Sequence, residues 1–334
     1  MNRQLDADVD GLDIDRLQWG TLRDWGQLVR LPNTFTLFSD CLAAAIVAGS
    51  RFAPLTALLP TVVASLFAYW AGMILNDVVD IEEDRETRAS RPLVAGRISP
   101  ALANHIATAM LLLGPGIILL VNSFHEVQQL WFGAAFGASV LLSMTVRAYN
   151  SVLKSTPLGP VLMGLCRTLN ILMVGFTMLA VNGAEAIPQM PLDLLLFAAG
   201  IGLYILGVTI YASQEERESS SAVLVIGILF EIAGLAAVAL APKLTSAEQV
   251  WTLDPVRGFP LLIALIGLTV VNRGLSGVWH PVSRKVQLAV RHAILTLILV
   301  DAAVVLAWEG PWFGAVVLAL LIPALTSALR FRST

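Results

Sequence analysis

Apolar residues along this chain neither alternate with polar ones nor recur as a narrow stripe. They fill runs of roughly 18–23 residues, separated by short polar segments. A helix rising about 1.5 Å per residue needs about 20 residues to cross ~30 Å of hydrocarbon, so each run predicts a membrane-spanning helix. Ten runs qualify, at residues 32–49, 54–75, 101–121, 127–148, 158–181, 192–213, 222–241, 258–271, 286–308 and 311–329. The eighth is short, and only Glu309 and Gly310 separate the last two, so nine spans ending in a re-entrant unit fit as well. Backbone groups in lipid must be satisfied within a helix or a closed barrel, and barrel strands alternate apolar with polar residues. The expected fold is therefore all-α, a polytopic membrane helical bundle of nine to ten transmembrane helices. Pro32, Pro54, Pro157 and Pro311 stand at span starts, where a missing N–H costs least.

Composition sharpens this picture. With 57% hydrophobic and 13% charged residues and a mean hydropathy of +0.76, a water-soluble domain is excluded. The net charge of -3 gives no reason to expect a nucleic-acid partner. Cys41 and Cys166 lie inside apolar runs without metal-ligand spacing and read as small core residues. Residues 1–15 are acidic and polar with no apolar h-region, so no cleavable leader is expected. Over residues 15–30, Leu17, Leu22, Trp25, Leu28 and Val29 approximate one helical face, with Trp19 and Trp25 suited to headgroup depth. This divides the chain into an N-terminal segment, 1–31, carrying an interfacial amphipathic helix, and a transmembrane domain, 32–334. If the N-terminus is cytoplasmic and ten spans alternate, 17 of the 21 Lys and Arg residues fall on the cytoplasmic side and three on the other. The expected setting is a multi-pass protein of the bacterial inner membrane type.

The second run leads directly into Asn76-Asp77-Val78-Val79-Asp80-Ile81-Glu82-Glu83-Asp84. On a continued helix at ~100° per residue, Asn76, Asp77, Asp80 and Asp84 fall within an arc of about 100°. Three carboxylates and an amide oxygen on one side of a helix end suit a hard cation. Magnesium fits best, because it takes oxygen ligands and commonly shares its shell with substrate phosphate. The sixth run ends similarly in Tyr211-Ala212-Ser213-Gln214-Glu215-Glu216-Arg217-Glu218-Ser219, where Tyr211, Glu215, Glu218 and Ser219 share a helical face. Two acidic helix ends on one side of a bundle are placed to converge.

These residues resemble the UbiA superfamily of intramembrane prenyltransferases. Asn76, Asp77, Asp80 and Asp84 match its N-D-x-x-D-x-x-x-D motif, and the segment from Ser90 through Arg91-Pro92-Leu93 to Ser99 looks like its N-R-P-L-x-x-G-x-[IV]-[ST] continuation. Arg30 and Asn33 match an R-x-x-N start to the first span, and Tyr149, Leu153 and Lys154 match Y-x-x-x-[LM]-K. The second acidic motif departs from the family's D-x-x-x-D after a Tyr: Glu215 takes the first position, Ser219 the second, and Glu218 falls one residue early. That form is similar to a divergent branch, the UbiA-like proteins termed EboC.

The resemblance implies a UbiA-like fold and transfer of a prenyl group from an isoprenyl diphosphate to an acceptor that the sequence does not specify. It implies Mg2+ held by Asn76, Asp77, Asp80 and Asp84, with Glu215 and Glu218 opposite. Arg88, Arg91, Lys154 and Arg217 would neutralise diphosphate charge, with Arg30 and Asn33 near the substrate. Tyr149 and Tyr211 would offer π-faces to an allylic cation. Each arginine of the 85–97 segment also suits a topology determinant, and each tyrosine an aromatic belt. Arg167 and Asn170, three apart in the fifth run, read as cavity residues for acceptor or phosphate, because an intramembrane cation is costly unless paired or wet. Glu231 and Asp301 read as structural partners of such cations ahead of a catalytic role. Two other readings stay open: a UbiA-like protein that binds a prenyl diphosphate without turnover, and a membrane transporter or lipid carrier.

Overall fold

The structure, a computed structural model, describes residues 18–183, 190–213, 220–245 and 250–330. Glu215, Arg217 and Glu218, and Leu17 of the N-terminal helix, lie outside the described residues. Thirteen α-helical segments follow in order: α1 (Leu22–Leu28), α2 (Leu31–Val47), α3 (Leu55–Val79), α4 (Ile81–Thr87), α5 (Pro100–Phe124), α6 (Gln129–Tyr149), α7 (Gly159–Asn182), α8 (Leu192–Ala212), α9 (Ser221–Leu240), α10 (Gly258–Trp279), α11 (Ser283–Glu309), α12 (Pro311–Leu318) and α13 (Leu321–Arg330). Among the described residues there is no strand, only an isolated bridge between Trp19 and Ile98. Nine helical units there are long and apolar enough to cross a membrane, α12 and α13 counting as one, and α2 is a shorter apolar helix of 17 residues. The expected all-helical bundle is therefore observed.

Four boundaries differ from the sequence expectation, each for a local reason. The eighth span runs on to Trp279 instead of stopping near residue 271. Asn272 and Arg273 are exposed on its outer side, so their polar ends reach outward and the helix need not end. The last span is broken between α12 and α13, and Gly310 (φ 98°) turns the chain sharply between α11 and α12. The N-terminal helix starts at Leu22 and not near residue 15. There Thr21 and Asp24 form a reciprocal capping box, which fixes the helix start. Finally, α3 and α4 meet at Asp80 instead of forming one helix. The Asp80 amide still bonds the Asn76 carbonyl (3.0 Å) and the Asp84 amide the Asp80 carbonyl (2.8 Å), so the break is a hitch and not a turn.

From α5 to α11 each helix packs on its neighbours in chain order, α2 contacts α3 and α3 contacts α5, and α11 returns to α2, which closes a ring. In lipid no hydrophobic force holds helices together, so close approach of backbones matters more. At the α8–α9 contact a Cβ on Gly207 would stand 2.5 Å from the Gly227 carbonyl oxygen. No larger residue fits there without separating the helices. Loops at one end of the ring are tied by Arg51 Nε to Glu309 (2.7 Å), by the Gln128 amide to the Ala180 carbonyl (2.8 Å) and by the Thr245 hydroxyl to Asp193 (3.0 Å). The acidic stretch between α3 and α4 lies at the opposite end, as alternation of the spans requires.

Candidate active site at the acidic helix end

Asn76 and Asp77 fall in the last turn of α3, Asp80 at the hitch, and Asp84 in α4. All but Asp80 are buried, Asp84 to 2% exposure. Burying carboxylates is expensive unless each finds a cation or donors. Here the cations come from three directions. The turn-rich segment after α4 brings back Arg91, whose Nη1 lies 3.1 Å from Asp77 and also bonds Asp84. Arg88 reaches Asp84 at 3.5 Å, and Arg30 reaches Asp77 at 3.6 Å from the start of α2. Lys154, on a short 3-10 turn after α6, bonds Asp80, which also accepts from the Asn76 amide at 3.1 Å. Thus Asn76, Asp77, Asp80, Asp84, Arg30, Arg88, Arg91 and Lys154 are brought together, from positions up to 124 residues apart in sequence.

Tyr149, the last residue of α6, lies within electrostatic reach of Arg30, Asp80 and Cys166. Asn33 lies in the first turn of α2, its carbonyl accepting from the Thr36 hydroxyl. Tyr211 is placed differently. It is buried among Leu224, Ile228 and Val286, and its hydroxyl donates to the Gly274 carbonyl at 2.9 Å. A Cβ on Gly277 would stand 2.0 Å from that hydroxyl, so α10 carries glycine where the tyrosine reaches it.

Arg167 and Asn170 face a separate polar layer inside the bundle. Arg167 bonds Asp40 of α2 and donates to the Thr36 hydroxyl at 2.8 Å. Asn170 accepts from Ser65 on α3. Asp301 joins through Ser39, which donates to it at 2.5 Å. Asp301 thus lies in the layer that Arg167 enters, bonded through a hydroxyl and not directly to the cation. Glu231 does not lie there: it packs over Gly207 between α8 and α9, with no salt bridge among the described residues. Sequence reasoning passed over Asp40, although a lone carboxylate in the first apolar run and a lone arginine in the fifth are matching costs that invite pairing.

A second residue passed over is Asp24. It is bonded by Arg97 Nε at 2.5 Å, while the Ser99 amide donates to the Gln18 carbonyl at 3.0 Å. These contacts strap the N-terminal segment to the 88–99 segment that supplies Arg88 and Arg91. Burial works against ionisation of Asp24, but bonds from the Thr21 amide and hydroxyl and from Arg97 outweigh it and hold its carboxyl below the usual range.

The residues suit magnesium by chemistry and by one feature of the geometry. Arg91 Nη1 bridges Asp77 and Asp84, so two carboxylates already converge on one positive centre. Magnesium is commonly held by one or two carboxylates plus substrate phosphate. No three acidic, His or Cys side chains among the described residues gather closely enough to hold a metal by themselves.

The UbiA prenyltransferase family matches residues 37–288 of the 334. The chain belongs to this family. Among its relatives is the digeranylgeranylglyceryl phosphate synthase of Methanopyrus kandleri, 29% identical over 255 residues, 72% of this chain and 83% of that protein. The synthase of the same name from Sulfurisphaera tokodaii is 30% identical over 105 residues, and the match spans only 37% of its length and 31% of this chain. Two solved structures share the fold. A UbiA homolog from Aeropyrum pernix K1 has a TM-score of 0.62 at 17% identity, covering 82% of this chain and 97% of that one. One from Archaeoglobus fulgidus, bound to GPP and Mg2+, has a TM-score of 0.57 at 15% identity, covering 89% and 99%. The UbiA fold expected from the motif residues is thus the fold observed.

Proposed function

We propose that this UbiA-family protein transfers an isoprenyl group from an isoprenyl diphosphate to an acceptor at the Asp77–Asp80–Asp84 end of the bundle. The observation that carries the reading is the convergence of Asp77 and Asp84 on one arginine nitrogen, with Asp80 on Lys154 beside it. Carboxylates held this way can release their cations to an incoming diphosphate and accept a metal in exchange. The same ligand class, GPP with Mg2+, occupies the related A. fulgidus structure. Magnesium, when bound by Asp77 and Asp84 with Asn76 and Asp80 near, supplies positive charge to the diphosphate oxygens.

The chain's own residues account for the remaining needs. Arg88, Arg91 and Lys154 hold the diphosphate charge that builds up as the bond from the prenyl C1 to oxygen breaks and its electron pair leaves with pyrophosphate. Tyr149 presents an aromatic face toward the developing allylic cation. The acceptor's nucleophile forms the new bond to C1 and loses a proton. The apolar helices keep water from intercepting the cation. The bias of Lys and Arg toward this end supports a site on the cytoplasmic side of a bacterial-type inner membrane. The capped helix α1 and the bond from Arg97 to Asp24 support reading the N-terminal segment as distinct from the spanning domain.

Purified protein incubated with magnesium, labelled isoprenyl diphosphates of graded length and a set of acceptors tests this. The acceptors include aromatic acids and geranylgeranylated glyceryl phosphate, the latter suggested by the relatives' names. Labelled product and pyrophosphate should appear together and stop when EDTA is added. Donor binding with no pyrophosphate from any acceptor would leave the non-catalytic binder as the better description.

A further inference from the structure

Deep in the ring, Asp40 on α2 and Asp301 on α11 are both 0% exposed. Their carboxyl groups are within hydrogen-bonding contact of each other. Each has one oxygen that is served: Asp40 Oδ2 by Arg167, and Asp301 Oδ2 by the Ser39 hydroxyl. Each also has one, Oδ1, that no donor reaches among the described residues. A carboxylate only accepts, so two ionised carboxylates cannot bond one another. Charge leads to the same point. The charged group facing the pair is Arg167 on α7, and the other side chains nearby, Tyr69 on α3 and Thr36, Ser39 and Cys41 on α2, are neutral at ordinary pH. Two anions against one cation would leave a net negative charge in the membrane interior, which is expensive.

We propose that Asp40 and Asp301 share one proton, with Asp301 a neutral carboxylic acid donating to Asp40, so that the Arg167–Asp40–Asp301 triad is uncharged overall. One proton satisfies both orphaned oxygens and balances the charge. The triad then locks α2 to α7 and α11. α2 begins directly after Arg30, which reaches Asp77, so the triad anchors the helix that leads in from the acidic end.

Infrared spectroscopy on the full chain in an ester-free detergent tests this, with aspartate carrying 13C at the side-chain carboxyl. At neutral pH the parent should show a protonated-carboxyl C=O band that shifts with the label and in D2O. In Asp301→Asn this band should lose intensity, and the variant should melt within a few degrees of the parent, because the amide donates where the acid did. Asp40→Asn should melt far lower, because Arg167 loses its counter-ion. The proposal is overturned by the absence of a labelled acid band in the parent. A band unchanged in folded Asp301→Asn also overturns it, and so does an Asp301→Asn protein that fails to fold or is destabilised as much as Asp40→Asn.

Discussion

Two regions of this molecule combine arginine with aspartate, and they do so in opposite proportions. At the acidic helix end three carboxylates meet Arg30, Arg88, Arg91 and Lys154. Arg30 and Arg88 retain 41% and 37% side-chain exposure there, so cations are in excess and can move. Around Arg167 the balance reverses: two aspartic side chains meet one cation, and the cation is only 12% exposed. A pairing open to solvent can exchange partners with a ligand at little cost, while a sealed one cannot. The same two residue types thus form an exchangeable cluster at one level of the bundle and a sealed one at another.

The largest effect expected from breaking this comparison is at the sealed site. Arg167→Met should cost about 3–5 kcal/mol in unfolding free energy, because a buried carboxylate loses its cation. Thermal unfolding in detergent measures it. Adding Asp40→Leu should recover much of the loss, as replacement of both members of a buried pair often does. At the open site the outcome differs. Asp84→Asn should lower the rate of prenyl transfer by about 100- to 1000-fold, with a smaller fall in melting temperature than Arg167→Met. No second substitution at Arg91 should restore the rate. If Asp84→Asn instead unfolds the protein while Arg167→Met leaves it intact, the contrast between the regions is wrong.

Arg91→Lys should have a smaller effect. One ammonium cannot keep the geometry of a guanidinium that bonds both Asp77 and Asp84. Loss of one charge-assisted bond worth about 1.5–3 kcal/mol corresponds to a loss of roughly ten- to 100-fold in kcat/KM. The smallest effect is expected at the strap. Thr21→Ala removes the capping hydroxyl and should cost about 1 kcal/mol of stability. Asp24 adds a pH dependence of defined sign. Its carboxyl is held below its usual range in the folded protein, so its contribution is present above the unfolded value and is lost as pH falls through the lower, folded one. Acidification below about pH 4 should therefore weaken the parent more than Asp24→Asn.

Much of the fold was legible in the sequence because each membrane-spanning helix is announced by its own run of apolar residues. The acidic site was half legible. Asn76, Asp77, Asp80 and Asp84 lie close in sequence, so helix geometry alone puts them together. Their counter-ions were candidates and no more, since nothing local shows that Arg91 folds back onto Asp77 and Asp84 while Arg97 turns to Asp24. Tyr211 shows the limit from the other side. Helical spacing put it on the face of an acidic motif, yet its hydroxyl is taken up by the Gly274 carbonyl.

The sequence by itself determined an all-helical membrane bundle, its span order, and a carboxylate-rich helix end, because hydrophobic length and residue spacing along one helix are local properties. Only the tertiary structure decided which charges neutralise which. Lys154 reaches Asp80 across 74 residues and Arg167 reaches Asp40 across 127. Such pairs depend on which helices become neighbours when the ring closes, and the apolar runs that build the ring are too alike to encode that choice one at a time.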